Sequence, residues 1–396
     1  MSRSYRGAMM DAVALALVGI VLLLGGGAAV AFGILPAADA LAIADRVWPI
    51  LLFVVAITVV AELASAAGVF DVIAARLARL SRGRVIVLWL LVVVFAVLVT
   101  AFLSLDTTAV LLTPVVVAVA RINGLGPLPF AFTTVWLANT ASLFLPISNL
   151  TNLLAAHRLG HGADTAAFVG LLGPSAVVAV VVTALLLWVW HRRALRGRFV
   201  PRPAPRVSDP TLLRVAAVVL VVMLPLLVSG LPPWMPATLG ALVLIAVFAW
   251  RSPRRLSVSV VPWRLVLFAA GLFLAVGAVE QWGLPMLLAA ATSSGDDLPA
   301  LWRVAGVGAL GANAINNLPA YLALEPVADS PARLAALLVG ANAGPLVTPW
   351  ASLATLLWHE RLRGVGIDVP WRRYVLAGAV AAPLVVASAV APLALR

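Results

Sequence analysis

The chain has 396 residues, of which 63% are hydrophobic and only 11% charged, with a mean hydropathy of +1.11. Soluble domains usually carry about 25% charged residues, so a soluble enzyme is excluded. All 27 basic residues are arginine and the net charge is +12, but the arginines cluster at the ends of apolar runs, which selects phospholipid over nucleic acid as the polyanionic partner.

Residues 1–46 are predicted to form an N-terminal span (8–33) and a loop. The run from Met9 to Leu35 is too long for a signal h-region and reads as a retained span. Residues 47–191 form a first repeat. It holds a span at 47–68, an amphipathic stretch at 69–83, an interrupted apolar stretch at 84–122, a broken span at 127–157 and a span at 166–191. The segment VIVLWLLVVVFAVLV (85–99) is apolar all round, which fits a helix and not the alternating strand of a membrane barrel. The Arg-rich and Pro-rich segment 192–210 is a cytoplasmic linker, and 211–261 supplies two scaffold spans, 211–230 and 236–250. Residues 262–396 then repeat the earlier order: a span at 262–281, an amphipathic stretch at 284–297, an interrupted stretch at 299–327, a broken span at 332–362 and a span at 371–394.

The interruptions are SLDTT at 104–108 and NAINN at 313–317. Irregular backbone at membrane depth is tolerated only against protein or a wet cavity, so each is expected at the tip of a re-entrant hairpin beside a site. Charge supports the hairpins. With both folded back and the N-terminus inside, 22 of the 27 arginines fall on the cytoplasmic side; turning the first hairpin into a span would move the cluster from Arg192 to Arg206 outside. The expected fold is therefore an all-α polytopic membrane protein of about nine spans plus two re-entrant hairpins in two inverted repeats, with the C-terminus outside. The halves also align: ANTASLFLPISNLTNLL (138–154) and ANAGPLVTPWASLATLL (341–357) share 7 of 17 positions without gaps, including an Asn and a Pro.

The breaks gather amides and hydroxyls with one carboxylate. Asp106 is the sharpest residue, because a carboxylate near the bilayer centre is costly to insert and is usually functional; the alternative is an N-cap for the second hairpin helix. Glu62 reads equally as a second proton carrier or as a residue reaching the interface. Thr107, Thr108, Asn139, Ser148, Asn149, Asn316, Asn317, Asn342, Thr348 and Ser352 are candidate substrate ligands, against the alternative of helix-to-helix hydrogen bonding. His157 and His161, four apart, read as interfacial residues in preference to metal ligands. No metal site or cofactor is expected, and no HExxH, GxSxG or P-loop pattern supports an enzyme or an ATP-driven pump.

The segments SLDTTAVLLTP (104–114), ANTASLFLPISNLTNLL (138–154), INNLPA (315–320) and GPLVTPWASLATLLW (344–358) resemble the ArsB-type arsenite/antimonite efflux permeases. These belong to an ion-transporter superfamily that includes dicarboxylate/sodium symporters and sodium/proton antiporters. The resemblance runs from about residue 47 to 362 and implies a scaffold with a moving transport domain, exchanging trivalent arsenic or antimony hydroxide for protons. The family pattern has Asn where this chain has Leu105, Asp at Asn139 and Asn342, and Lys at Leu346. Asp106 and Glu62 are then the groups left to carry a proton. The expectation is an inner-membrane or plasma-membrane antiporter of arsenite and antimonite. Its partners would be anionic lipid at the cytoplasmic Arg clusters and a second copy or a cytoplasmic ATPase subunit. The rivals are a sodium/proton antiporter or a dicarboxylate-like anion/sodium symporter of the same architecture, a non-transporting membrane scaffold and, last, an intramembrane enzyme.

Overall fold

The computed structural model describes residues 3–160, 164–202, 207–257, 260–281, 284–292 and 294–395. Its helices are α1 (Arg3–Ala31), α2 (Ala37–Ala66), α3 (Val69–Leu80), α4 (Val85–Leu103), α5 (Leu105–Thr107), α6 (Thr113–Ile122), α7 (Leu128–Thr140), α8 (Leu150–Arg158) and α9 (Thr165–His191). The second half holds α10 (Pro210–Leu227), α11 (Trp234–Arg251), α12 (Trp263–Glu280), α13 (Leu284–Thr292), α14 (Leu298–Ile315), α15 (Asn317–Leu324), α16 (Pro331–Ala343), α17 (Leu353–Gly364) and α18 (Trp371–Val390). A π-helical turn, Thr108–Leu112, joins α5 to α6. The order from α2 to α9 recurs from α12 to α18, with α15 standing where the first half has α5, the π-helical turn and α6.

Among the described residues nine helices are long and apolar enough to cross a membrane. The chain is a multi-pass membrane protein, but these nine are not the nine spans read from sequence. Six coincide; the other three are Val85–Leu103, Leu105–Ile122 and Leu298–Ile315, the arms of the interrupted stretches. The broken spans drop out because each is cut into two short helices.

The flanks of both interrupted stretches are anchored by hydrogen bonds. The start and end of the first are tied to one linker: Phe199 N–H donates to Gly83 O (2.8 Å), Val85 N–H to Gly197 O (3.3 Å) and Arg202 N–H to Asn123 Oδ1 (2.9 Å). Around the second, Ser330 Oγ donates to Asp296 Oδ1 (2.6 Å), while Arg333 reaches Gly295 O (3.3 Å) and Val327 O (3.1 Å). The first pair of ends lies beside His191 at the C-terminus of α9. The second lies near its N-terminus, where Arg158 Nη2 donates to Pro326 O (3.5 Å). At 1.5 Å per residue the 27 residues of α9 span about 40 Å.

Helix starts away from the core are capped by short polar side chains. Asp164 accepts from Ala167 N–H, Asp209 from Thr211 and Leu212, Asp297 from Ala300, and Ser330 from Arg333. Deep helices approach through small residues: a Cβ on Gly340 would stand 2.1 Å from Ala305 O of α14, and one on Gly378 of α18 1.7 Å from Leu346 O. One difference from the sequence reading lies in α2, which starts at Ala37 and not at 47. The helix carries Arg46 within it because Glu325 neutralises the guanidinium inside the protein.

Candidate functional site

Four helix starts meet at one place. Ser104 begins α5 with φ 109° and ψ 161°, and Asn316 begins α15 with φ 101° and ψ 152°. These paired values mark the two tips as equivalent positions of the repeats. Ser104 Oγ accepts from Thr107 N–H (3.3 Å), and Asn316 Oδ1 accepts from Leu318 N–H (3.3 Å). Asn149 and Ser352 precede α8 and α17 in extended conformation, with φ −152° and −142°. They too are equivalent positions in the gapless alignment of the two halves. All four residues line one cavity of about 230 Å3, together with Asp106, Asn317 and apolar side chains of α2 and α12.

Each helix start brings unpaired N–H groups and a partial positive charge. The cavity therefore gathers donors and amides around one carboxylate, a surface suited to an oxygen-rich solute. Two of its polar groups have no hydrogen-bond partner among the described residues: the Asp106 carboxylate and the fully buried Ser352 Oγ. The cap role considered for Asp106 belongs instead to Ser104, one residue before the helix, while Asp106 sits inside its first turn.

The candidate ligands fall into three groups. Asp106, Asn149, Asn316, Asn317 and Ser352 line the cavity. Asn342 stands one layer behind, where its Oδ1 accepts from Asn149 Nδ2 (3.0 Å) and Thr151 Oγ1 (2.8 Å) and its Nδ2 donates to Asn152 Oδ1 (2.7 Å). Asn139, Ser148, Thr108 and Thr348 do not reach the wall. Asn139 donates to Val135 O (3.0 Å), Ser148 to Ala101 O (2.9 Å) and Thr348 to Asn313 O (2.7 Å), and Thr108 pairs with Thr100 Oγ1 (2.8 Å). Asn139 and Thr108 turn to their own or an adjacent helical turn, while Ser148 and Thr348 turn to the backbone of the interrupted stretches, α4 and α14. His157 is exposed at the end of α8, and His161 lies outside the described residues. No cluster of potential metal ligands occurs among the described residues.

Asp106 also lines a second cavity of about 560 Å3, shared with Thr58, Glu62, Thr107, Arg264 and Arg361. This cavity leads toward the Arg-rich end, since Arg121 at the foot of α6 donates to Val365 O just past Arg361. The opposite end is tied shut. Arg46 of α2 pairs with buried Glu325 and donates to Leu154 O of α8, while Tyr321 Oη donates to Glu325 Oε1 (3.1 Å). The sequence reading did not single out this cluster; Glu325 stands at the end of an apolar stretch, where an acidic residue reads as interfacial. Asn313 is a further organiser. Its Oδ1 accepts from Val347 and Thr348 N–H (3.2 and 3.0 Å) and its Nδ2 donates to Gly344 O (2.8 Å), fixing the break of the second broken span to hairpin arm α14.

Comparison with known proteins agrees with this architecture. Residues 8–355 match the family model CitMHS, described as citrate transporter. The arsenical pump membrane protein of Escherichia coli K12 is 29% identical over 94% of this chain and 92% of its own length. That of Yersinia enterocolitica is 28% identical, with 92% and 90% covered. A 46 kDa membrane protein of Mycobacterium leprae is 26% identical over 84% of this chain and 82% of its own. Among solved structures, the Alcanivorax borkumensis YdaH transporter superposes with a TM-score of 0.59 at 14% identity, covering 97% of both chains.

Proposed function

Because this chain belongs to the CitMHS family of membrane transporters, we propose that it is a secondary antiporter exporting arsenite and antimonite in exchange for protons. The observation that carries the proposal is Asp106: a single carboxylate, without a protein partner, on the wall of both the helix-start cavity and the cavity toward the Arg-rich end. A proton on Asp106 and a solute beside it would compete for one site, which is what antiport requires. The arsenical pump relatives support the choice of solute. Neutral trivalent hydroxides present O–H donors to Asn and Ser oxygens and accept from the helix-start N–H groups.

In this reading the Arg-rich end is cytoplasmic, the two interrupted stretches are re-entrant hairpins, and Glu62 relays protons between Asp106 and the cytoplasm. Asn149, Asn316, Asn317 and Ser352 hold the solute; Asn342 positions Asn149. The Arg46–Glu325 pair closes the outer side.

A second reading has its own support. Four helix starts make a cavity that favours anions, and the family model carries the description of a citrate transporter. Uptake of labelled arsenite, antimonite and citrate into proteoliposomes under an imposed pH gradient separates the two. Arsenite and antimonite movement without citrate movement is the expected result. Citrate flux with no metalloid flux would replace the first reading by the second.

A further inference from the structure

Near the Arg-rich end, α9 and α18 leave a groove of about 550 Å3 between them. Its walls are Trp136, Leu186, Val189 and Trp190 on one side and Leu376 and Val380 on the other. Val189, Leu376 and Val380 are more than half exposed, and Trp190 nearly so, as side chains facing hydrocarbon are. Charge distinguishes this groove from an ordinary lipid-facing surface. Arg192 and Arg193, both exposed, line its mouth, and Arg372 and Arg373 begin α18 at the same end.

We infer that the groove between α9 and α18 is a binding site for one anionic phospholipid of the leaflet at the Arg-rich end. Its phosphate lies against Arg192 and Arg193, and an acyl chain fills the apolar groove. The apolar walls favour an occupant with acyl chains over a soluble phosphate compound, whose charge would gain nothing from them. The site lies apart from the helix-start cavity, and the inference does not depend on which solute is carried.

Native mass spectrometry of the detergent-solubilised protein, titrated with phosphatidylglycerol or phosphatidylcholine, tests this. Each arginine near the headgroup is worth roughly fivefold in affinity, so one phosphatidylglycerol is expected to bind roughly 25-fold more tightly than phosphatidylcholine. Arg192→Gln with Arg193→Gln should bring the ratio near one. Val380→Phe, which fills the groove from its exposed side, should remove the bound lipid with both charges in place. Glycerol phosphate, a headgroup without chains, should not compete. Equal retention of the two lipids by the wild type, or undiminished retention by Val380→Phe, would overturn the site in favour of diffuse charge attraction. Quenching of wild-type tryptophan fluorescence by brominated phosphatidylglycerol, expected to exceed that by brominated phosphatidylcholine, reads the same preference without any variant; equal quenching overturns it as well.

Discussion

Ser104 and Asn316 occupy a backbone region that glycine alone adopts freely, at a cost on the order of 1–3 kcal/mol for other residues. Their side chains offset this by capping the helices that follow and, for Asn316, by donating to Trp350 O (2.9 Å). Ser104→Ala therefore keeps the strain and loses the cap, which lowers stability by about 1 kcal/mol. Ser104→Gly loses the cap but releases the strain, so it should melt above Ser104→Ala; thermal melts of the two in one detergent check the order. The neutral residue at 342 has a similar logic. Asn342 both accepts and donates, and a carboxylate there would face Asn152 Oδ1 without a proton to share. Asn342→Asp is expected to lower stability by about 1–3 kcal/mol and to displace Asn149 from the cavity wall, measured as a drop in melting temperature and a rise in the solute KM. The amides at the breaks were legible in the sequence because polar residues and helix breakers are scarce in apolar runs. Their directions were not. Asn139 and Asn342 are equivalent positions of the repeats, yet one turns to its own helix and the other to its neighbours, a choice set by packing between helices.

Elements were legible mainly from the distribution of charge. The arginine distribution calls for two stretches that return to their own side; in the structure Gly83 O and Asn123 Oδ1 accept from one linker at the two flanks of the first, and Ser330 and Arg333 donate to Asp296 and Gly295 beside the second. Hydropathy and length alone select a different set, since the arms of the interrupted stretches score as spans while the broken spans, cut into short helices, do not. Ion pairs between elements were hidden, because a pair joining residues 46 and 325 has no local pattern. Glu325→Gln removes the partner of Arg46 where α2, α8 and α15 meet. Breaking a buried pair costs about 3–5 kcal/mol; with Arg46 partly exposed the loss should fall at or below the lower end, seen as a lower melting temperature. Asp209 offers a pH test at the start of α10. Its hydrogen bond from Arg251 (3.0 Å) holds the carboxyl below the usual range. The contribution of this group is complete above the ordinary carboxylate pKa of about 3.9 and is lost as pH falls through the lowered native value. The melting difference between wild type and Asp209→Asn should therefore be present at neutral pH and shrink in strong acid.

For the whole molecule, the decisive property is asymmetry. Asp106 and the helix-start cavity communicate with the Arg-rich end through a larger cavity, while Arg46, Glu325 and Tyr321 tie the opposite end. In the proposed antiport, the recurring order of elements, α2 to α9 and α12 to α18, would supply a second arrangement of the same parts in which this asymmetry reverses. In the antiport proposed above, Asp106 would be charged in one arrangement and protonated in the other. The most direct measurement is arsenite flux in proteoliposomes under an imposed pH gradient, with wild type and Asp106→Asn reconstituted to equal, folded density. Gradient-driven accumulation in the wild type, abolished by Asp106→Asn, is the predicted result. Accumulation that persists in the variant would contradict the role of Asp106 as the coupling group.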